Sequence, residues 1–354
     1  MKQSRPVFVT VAAMVLVLTG CSTGGVIVQD TSSRPAVPVS APALEQAYIG
    51  VVQKVLPSVV QITSDRGLGS GIVFDTKGNI VTNAHVVGQA TKFEVRLADN
   101  PAPMPATLVG AYRPDDLAVI KLDTPPPTLH PAHFGDSAKL QVGQIVLAMG
   151  NPLGLTGSVT DGIISATGRT VTEPASGGSP GATLPDVIQT NAAINPGNSG
   201  GALVDLAGDV IGVPTLAALE PQTEGLAGAA PGIGFAIPSN LVLDIAGQLI
   251  THNGHVVNSH RAALGVRVVT VIGPTGEPAG MGVVSVVPGG PAAAAGVQPG
   301  EVITAVNNTP VHQAAELAQV LAKLNPGQTV PVTLISPQGG TRTVMVTLGQ
   351  LPGS

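Results

Sequence analysis

No tryptophan occurs in the 354 residues, and aromatics are only 2% of them. Any buried core must therefore be aliphatic, and a hydrophobic content of 44% is ample for one. Charged residues are scarce at 10%, well below the roughly 25% of ordinary soluble domains. The net charge of −5 excludes a strongly basic nucleic-acid binder, because such binding rests on Lys and Arg neutralising phosphates. A single cysteine excludes a disulfide scaffold and a cysteine-based metal cluster. Glycine (45) and proline (32) are plentiful. They show no period of three, which excludes collagen and favours a turn-rich β protein. At roughly 150 residues per domain, the length suggests two domains.

The amino terminus carries Lys2 and Arg5, then an apolar run from Val7 to Leu18, then Leu18-Thr19-Gly20-Cys21. Charge, run length and small residues fit a secretory signal. The run falls short of the ~20 residues that span a bilayer, which argues against a transmembrane anchor. Ser22 to Pro42 is rich in Ser, Thr, Pro and Gly and reads as a flexible tether.

From Tyr48 onward, short apolar runs alternate with turn signals, as in Val59–Ile62, Gly71–Phe74, Phe93–Leu97 and Leu117–Ile120. A second series runs from Val142 to Val213. Two sets of about six strands suit two small β-barrels. Two stretches rich in Gly, Pro and Ala, Thr172–Pro185 and Pro214–Gly232, read as long loops that interrupt the second set. Ser239 is the expected N-cap of a helix carrying Leu241, Ile245 and Leu249, which Gly254 ends. A second unit follows, with five strands between Gly265 and Leu348, a short helix at Pro291–Ala295 and an amphipathic helix at Ala314–Leu324.

Three segments carry candidate chemistry. His85 follows the run Val81-Thr82, Asp115-Asp116 precedes Leu117, and Ser199 sits in Asn195-Pro196-Gly197-Asn198-Ser199-Gly200-Gly201. A serine hydroxyl is a weak nucleophile that needs an adjacent base. An imidazole, with a free pKa near ~6.5, can take and return its proton, and a carboxylate can hold the right tautomer. Gly197 and Gly200 allow a tight turn that aims the N–H groups of Gly197 and Ser199 at a developing oxyanion. Each segment alone is a weak signal; the order His, Asp, Ser between strands is a strong one.

The chain resembles the HtrA/Deg-type serine proteases from about Tyr48 to Leu348. Matching stretches include Gly69-Ser70-Gly71, Thr82–Val86, Asp116–Lys121, Gly135-Asp136-Ser137, Met149–Pro152, Gln189 to Gly201 and Gly234–Pro238. The resemblance implies a mainly β fold: a chymotrypsin-like double β-barrel protease domain followed by a small α+β PDZ domain. It makes His85, Asp116 and Ser199 the catalytic residues, with Asp115 set aside because the family's acid directly precedes Leu-Ala-Val. Gly197 and Ser199 would form the oxyanion hole. Ala193, Ile194 and Asn195 would face Ile233, Gly234 and Phe235 across an apolar substrate pocket, which implies cleavage after small aliphatic residues. Ala263-Leu264-Gly265-Val266 matches the carboxylate-binding loop of a PDZ domain.

Departures are Asn191 where the family usually has Asp, Glu301 for the usual Asp, and Ala263 where a longer residue is common. Leu18–Cys21 resembles a bacterial lipobox, whose Cys21 would be lipidated. The expected organisation is a signal peptide at 1–20, a tether at 21–47, the protease domain at 48–253, a linker at 254–262 and the PDZ domain at 263–350.

Other candidates are weaker. His130 with His133, and His252, His255 and His260, lack acidic or Cys partners in the sequence for a metal site, so no metal and no cofactor are expected. Asp136–Lys139 reads as a structural turn rather than a Ser/Lys dyad. The resemblance implies an extracytoplasmic, membrane-anchored lipoprotein of a bacterial cell envelope that degrades unfolded or misfolded proteins. It also implies a homotrimer assembled near Tyr48. Expected partners are substrate proteins, peptide carboxyl termini and the membrane, with no nucleic acid. A non-catalytic PDZ adaptor on a protease fold and a dedicated processing protease are the alternatives; the complete His, Asp, Ser set argues against the first.

Overall fold

The computed structural model describes residues 40–353 except 65–66, 101, 152–156, 174–181, 196, 220–228 and 275. The expected signal peptide and Cys21 lie outside the described residues.

The fold opens on helix α1 (Ala41–Val55), which takes up the last seven residues of the expected tether. Leu44, Tyr48, Val51, Val52 and Val55 recur at helical spacing, and Val51 and Val55 are buried. This stripe gives the segment a face to bury, which a flexible tether lacks. Lys54 of α1 donates to the Ala207 carbonyl (2.7 Å) and lies 3.6 Å from Asp209.

Six antiparallel strands form the first closed barrel: β1 (Val59–Ser64), β2 (Gly67–Val73), β3 (Asn79–Thr82), β4 (Lys92–Arg96), β5 (Met104–Tyr112) and β6 (Leu117–Leu122), in the order β1-β2-β3-β6-β5-β4. One-turn helix α2 (Ala84–Val87) follows β3. A turn at Asp75–Asn79 joins β2 to β3, with the Asp75 carboxylate accepting the N–H groups of Lys77 and Asn79.

The second closed barrel holds β7 (Ile145–Gly150), β8 (Ser158–Glu173), β9 (Ala182–Thr190), β10 (Ala202–Asp205), β11 (Val210–Leu219) and β12 (Ala229–Pro238), in the order β10-β11-β12-β9-β8-β7. Parts of both expected loops are strand. β8 runs on to Glu173 and β9 starts at Ala182, while β11 continues to Leu219 and β12 begins at Ala229. Cross-strand pairing overrides the turn-forming composition: Thr172 faces Thr183, and Ala217 faces Gly234.

Helix α3 (Ser239–Thr251) packs Val242, Ile245, Ala246 and Leu249 against a core shared with both barrels, including Tyr112, Leu117, Val213 and Ile237. Its N-cap is Pro238, not Ser239. The Ser239 hydroxyl instead donates to the Gly135 carbonyl (2.7 Å), and Asn240 ties the helix start to Asp136 and Ser137.

The carboxyl-terminal unit has β13 (Ala262–Ala263) paired with β20 (Gly349–Gln350). Its main sheet holds β14 (Val266–Ile272), β15 (Pro278–Val286), β16 (Val302–Val306), β18 (Thr329–Ile335) and β19 (Thr341–Thr347) in that order, with β17 (Thr309–Pro310) on β16. Helix α4 (Pro291–Ala294) precedes β16, and α5 (Ala314–Leu321) ends three residues before the expected Leu324. Met281, Ile303, Val306, Leu317, Val330, Leu334 and Val346 make its separate core. Glu301, at the family's Asp position, is buried and accepts the N–H of Gln298 and two bonds from Arg342. Those donors hold its carboxyl below the ordinary range.

Candidate active site

His85 is the second residue of α2. Asn83 enters the helix in an extended conformation, and Gly88 at φ 56° ends it. The helix is tied to Asp116: the Ala84 N–H and the Asn83 amide both donate to the Asp116 carbonyl at 3.0 Å.

Asp116 closes a 3₁₀ turn, Arg113–Asp115, and adopts a left-handed conformation with φ 51° and ψ 39°. Asp is one of the few L residues that tolerate it. That conformation redirects the chain into β6 and leaves the carboxylate against α2. Oδ1 accepts the His85 backbone N–H (2.9 Å), and Oδ2 lies 2.8 Å from His85 Nδ1. Thr215 Oγ1 also donates to Oδ2, at 2.5 Å. Asp116 is buried, whereas the His85 side chain keeps 28% of its surface open to solvent. Such a pair fixes the imidazole with a proton on Nδ1 and leaves Nε2 to act as a base.

Ser199 lies in a turn of the second barrel, held by bonds from Asn198 N to Asn195 O and from Gly201 N to Asn198 O. Gly200 has φ +80°, and a Cβ there would collide with the Ser70 carbonyl and Thr82 Oγ1. Glycine is the residue that fits. The Ser199 hydroxyl donates to the Thr215 carbonyl (3.2 Å). Thr215 therefore joins Ser199 to Asp116, and Asp116 to His85.

Ser70, on β2 of the first barrel, holds the same turn from the opposite side. Its N–H donates to the Ser199 carbonyl (3.0 Å) and its hydroxyl to the Gly197 carbonyl (2.5 Å). The Asn151 N–H donates to that hydroxyl (2.8 Å), and Thr82 Oγ1 donates to the Ser70 carbonyl (2.7 Å). Neither the Gly197 nor the Ser199 N–H meets an acceptor among the described residues.

The segments expected to line the pocket face each other at one point: a Cβ on Gly234 would press on the Ile194 side chain. Ile194 and Phe235 are buried, whereas Ala193, Asn195 and Ile233 are exposed. The Ala193 carbonyl accepts bonds from Thr160 and Asn198. Asn191 Oδ1 accepts the Ile163 N–H (2.7 Å), a bond that needs only an oxygen and that an Asp carboxylate could equally accept.

In the carboxyl-terminal unit Ala263 and Leu264 are buried, and Gly265 turns at φ +72° into β14, an edge strand. Asp136–Lys139 forms a capped turn. His130, His133 and His260 each face a single carboxylate, of Asp99, Asp209 and Asp244 respectively.

Sequence reasoning missed Thr215 and gave Ser70 no role beyond its place in a matching stretch. Thr215 is buried just beyond the apolar run Val210–Val213, and Ser70 is fully buried between glycines. A hydroxyl inside an apolar strand was the available signal, since a buried hydroxyl needs a partner.

Residues 69–213 match the trypsin-like peptidase domain family and residues 282–335 the PDZ domain family. The chain is 39% identical to serine protease PepD of Mycobacterium tuberculosis, over 94% of this chain and 71% of that protein. It is 37% identical to a probable periplasmic serine endoprotease, DegP-like, of Pseudomonas putida, over 81% of this chain and 57% of that one. The HtrA-type protease AlgW, solved with a decapeptide, superposes with a TM-score of 0.56 at 32% identity, covering 86% of this chain and 99% of AlgW.

Proposed function

The chain belongs to the HtrA family of serine endopeptidases, a trypsin-like domain followed by a PDZ domain, and from that premise we propose that Ser199 is its nucleophile, His85 its base and Asp116 its acid. The observation that carries the assignment is the Asp116 carboxylate, which grips both the backbone and the ring of His85. The Ser199 hydroxyl leaves the Thr215 carbonyl, passes its proton to His85 Nε2, and its oxygen attacks the scissile carbonyl carbon. The oxyanion that forms accepts the Gly197 and Ser199 N–H groups. His85 then protonates the leaving amine, and water releases the acyl group by the same steps in reverse order. The protease part is assigned to 48–253 and the PDZ domain to 263–350, joined through 254–262.

Substrates are unfolded proteins cut after small aliphatic residues. Ala193, Ile194, Asn195, Ile233, Gly234 and Phe235 offer no charge to a basic side chain. Burying methylenes there gains roughly 0.8 kcal/mol per CH₂, while burying an unpaired charge costs far more. Mapping cuts in a denatured protein by mass spectrometry should give Val, Ala, Ile and Leu at the cleaved position. Dominant cutting after Lys or Arg would overturn the pocket.

The Ala263–Val266 loop and edge strand β14 suit capture of a peptide carboxyl terminus by strand addition. A peptide ending in a free carboxylate should bind the full chain by calorimetry and its amidated form at least tenfold more weakly; equal affinity rejects the loop.

The periplasmic placement named for a relative supports an extracytoplasmic enzyme. Cys21 is proposed as its lipid anchor and a homotrimer as its assembly. Mass spectrometry of the mature amino terminus should find an acylated Cys21; an unmodified terminus beyond Cys21 rejects the anchor.

A further inference from the structure

Arg261 lies in the link just before β13, and its guanidinium reaches back under the turn that carries Asp116. Nη1 donates to the Pro114 carbonyl and to Asp115 Oδ1 (2.7 Å). Nη2 donates to the Thr183 carbonyl (2.7 Å) on β9. The pair is sequestered, with side-chain exposures of 13% for Arg261 and 1% for Asp115. One planar group thus joins the two barrels at the residue adjacent to Asp116.

The backbone of Arg261 is anchored in turn by the end of the chain. Its carbonyl accepts the Leu351 N–H (2.7 Å), its N–H donates to Ser259 Oγ, and Ser259 Oγ donates to the Leu351 carbonyl (2.7 Å). β13 then pairs with β20.

We propose that Arg261 is a positioning residue for peptide-bond cleavage: it fixes the Arg113–Asp115 turn so that Asp116 stays left-handed and holds His85 in register. The inference rests on the assignment of Asp116 as the acid. A sparsely populated backbone conformation persists only where its surroundings over-determine it. Asp116 is held downstream by its carbonyl bonds to Asn83 and Ala84 and upstream by its N–H bond to the Arg113 carbonyl (3.1 Å). Arg113 in turn donates to the Gly88 carbonyl (2.5 Å). Arg261 supplies the remaining constraints, on Pro114 and Asp115. Lysine, a single point charge, cannot make this three-way fork.

Removal of Arg261 has a signature that a purely structural role lacks. The charged and titratable groups facing Asp115 are Arg261, Tyr112, Asp244 on α3 and His260 on the link. Burial pushes the Asp115 carboxyl up, and Arg261 is the main group opposing it. Without the guanidinium, Asp115 takes up a proton at higher pH, beside the carboxylate that orients His85.

The test uses full-length Arg261→Lys, Arg261→Met, the double variant Arg261→Met with Asp115→Asn, and Asp116→Asn. Short-peptide hydrolysis is scaled to sites counted by fluorophosphonate, or to protein where a variant does not label. Arg261→Met should lower kcat at least tenfold with KM within twofold, and Arg261→Lys should fall between it and the parent. The pH profile of Arg261→Met should gain an acid-side ionisation that the double variant lacks. A parent-like kcat per site with a parent-like profile overturns the proposal, whatever happens to the thermal midpoint. If Arg261→Met does not fold, the kcat of Arg261→Lys decides on the same terms. If Asp116→Asn keeps its activity, the acid assignment itself has failed; if it loses activity while the Arg261 variants do not, only Arg261 is misassigned.

Discussion

Ser199→Ala is expected to lower peptide-bond cleavage by about 10⁶-fold, the scale seen when a serine protease loses its nucleophile. In the proposed mechanism the Ser199 hydroxyl oxygen attacks, and neighbouring hydroxyls are committed elsewhere. Thr215 Oγ1 is committed to Asp116 and the Ser70 hydroxyl to the Gly197 carbonyl. The cost to the fold is small: among the described residues the hydroxyl's one hydrogen bond goes to the Thr215 carbonyl and is worth about 1 kcal/mol. Fluorophosphonate labelling and degradation of an unfolded protein, run on parent and variant, read the effect. Labelling that persists at another serine sinks the assignment. An intact parent that neither labels nor cuts would restore the reading of the chain as a non-catalytic adaptor.

Asp116→Asn should cost about 10⁴-fold in kcat, as the matching change does in a chymotrypsin-like enzyme, with the barrels unchanged by circular dichroism. The argument is specific to this site. Oδ1 faces the His85 backbone N–H, which can only donate, so the amide oxygen must stay there. The NH₂ group then occupies the position of Oδ2, against Nδ1 and Thr215 Oγ1. An imidazole that accepts at Nδ1 carries its proton on Nε2 and cannot take another from Ser199. A loss under tenfold would remove Asp116 from the mechanism.

Much of this site was legible in the sequence because its parts are local. Glycines flank Ser199, and the stretches around His85 and Asp116 match the HtrA family, a match that alone set Asp116 apart from Asp115; the left-handed turn at Asp116 came only from the structure. What escaped depends on cross-barrel or cross-domain contacts. Ser70 touches Gly197 across 127 positions, and Arg261 reaches Asp115 across 146. No spacing rule connects residues so far apart. The strand extensions past Thr172 and Pro214 escaped for a related reason: pairing with a neighbouring strand decides them, while local composition argues for loop. Helix α1 was different. Its stripe from Leu44 to Val55 has helical spacing, but it straddles the expected tether and strand series and was not read as a helix.

The clasp between Ser70 and the 197–199 turn has a consequence for how the molecule fails. The residues proposed for the reaction are divided between two barrels, His85 and Asp116 on the first and Ser199 on the second, and the geometry that unites them belongs to the seam. A shift of one barrel against the other, strong enough to disturb their shared core, would strain that turn even where strand pairing within each barrel persisted. Such a molecule would fall silent while still intact by every measure of secondary structure. On heating, cleavage is therefore expected to fade before secondary structure does, a gap that activity and circular-dichroism melts run side by side would read.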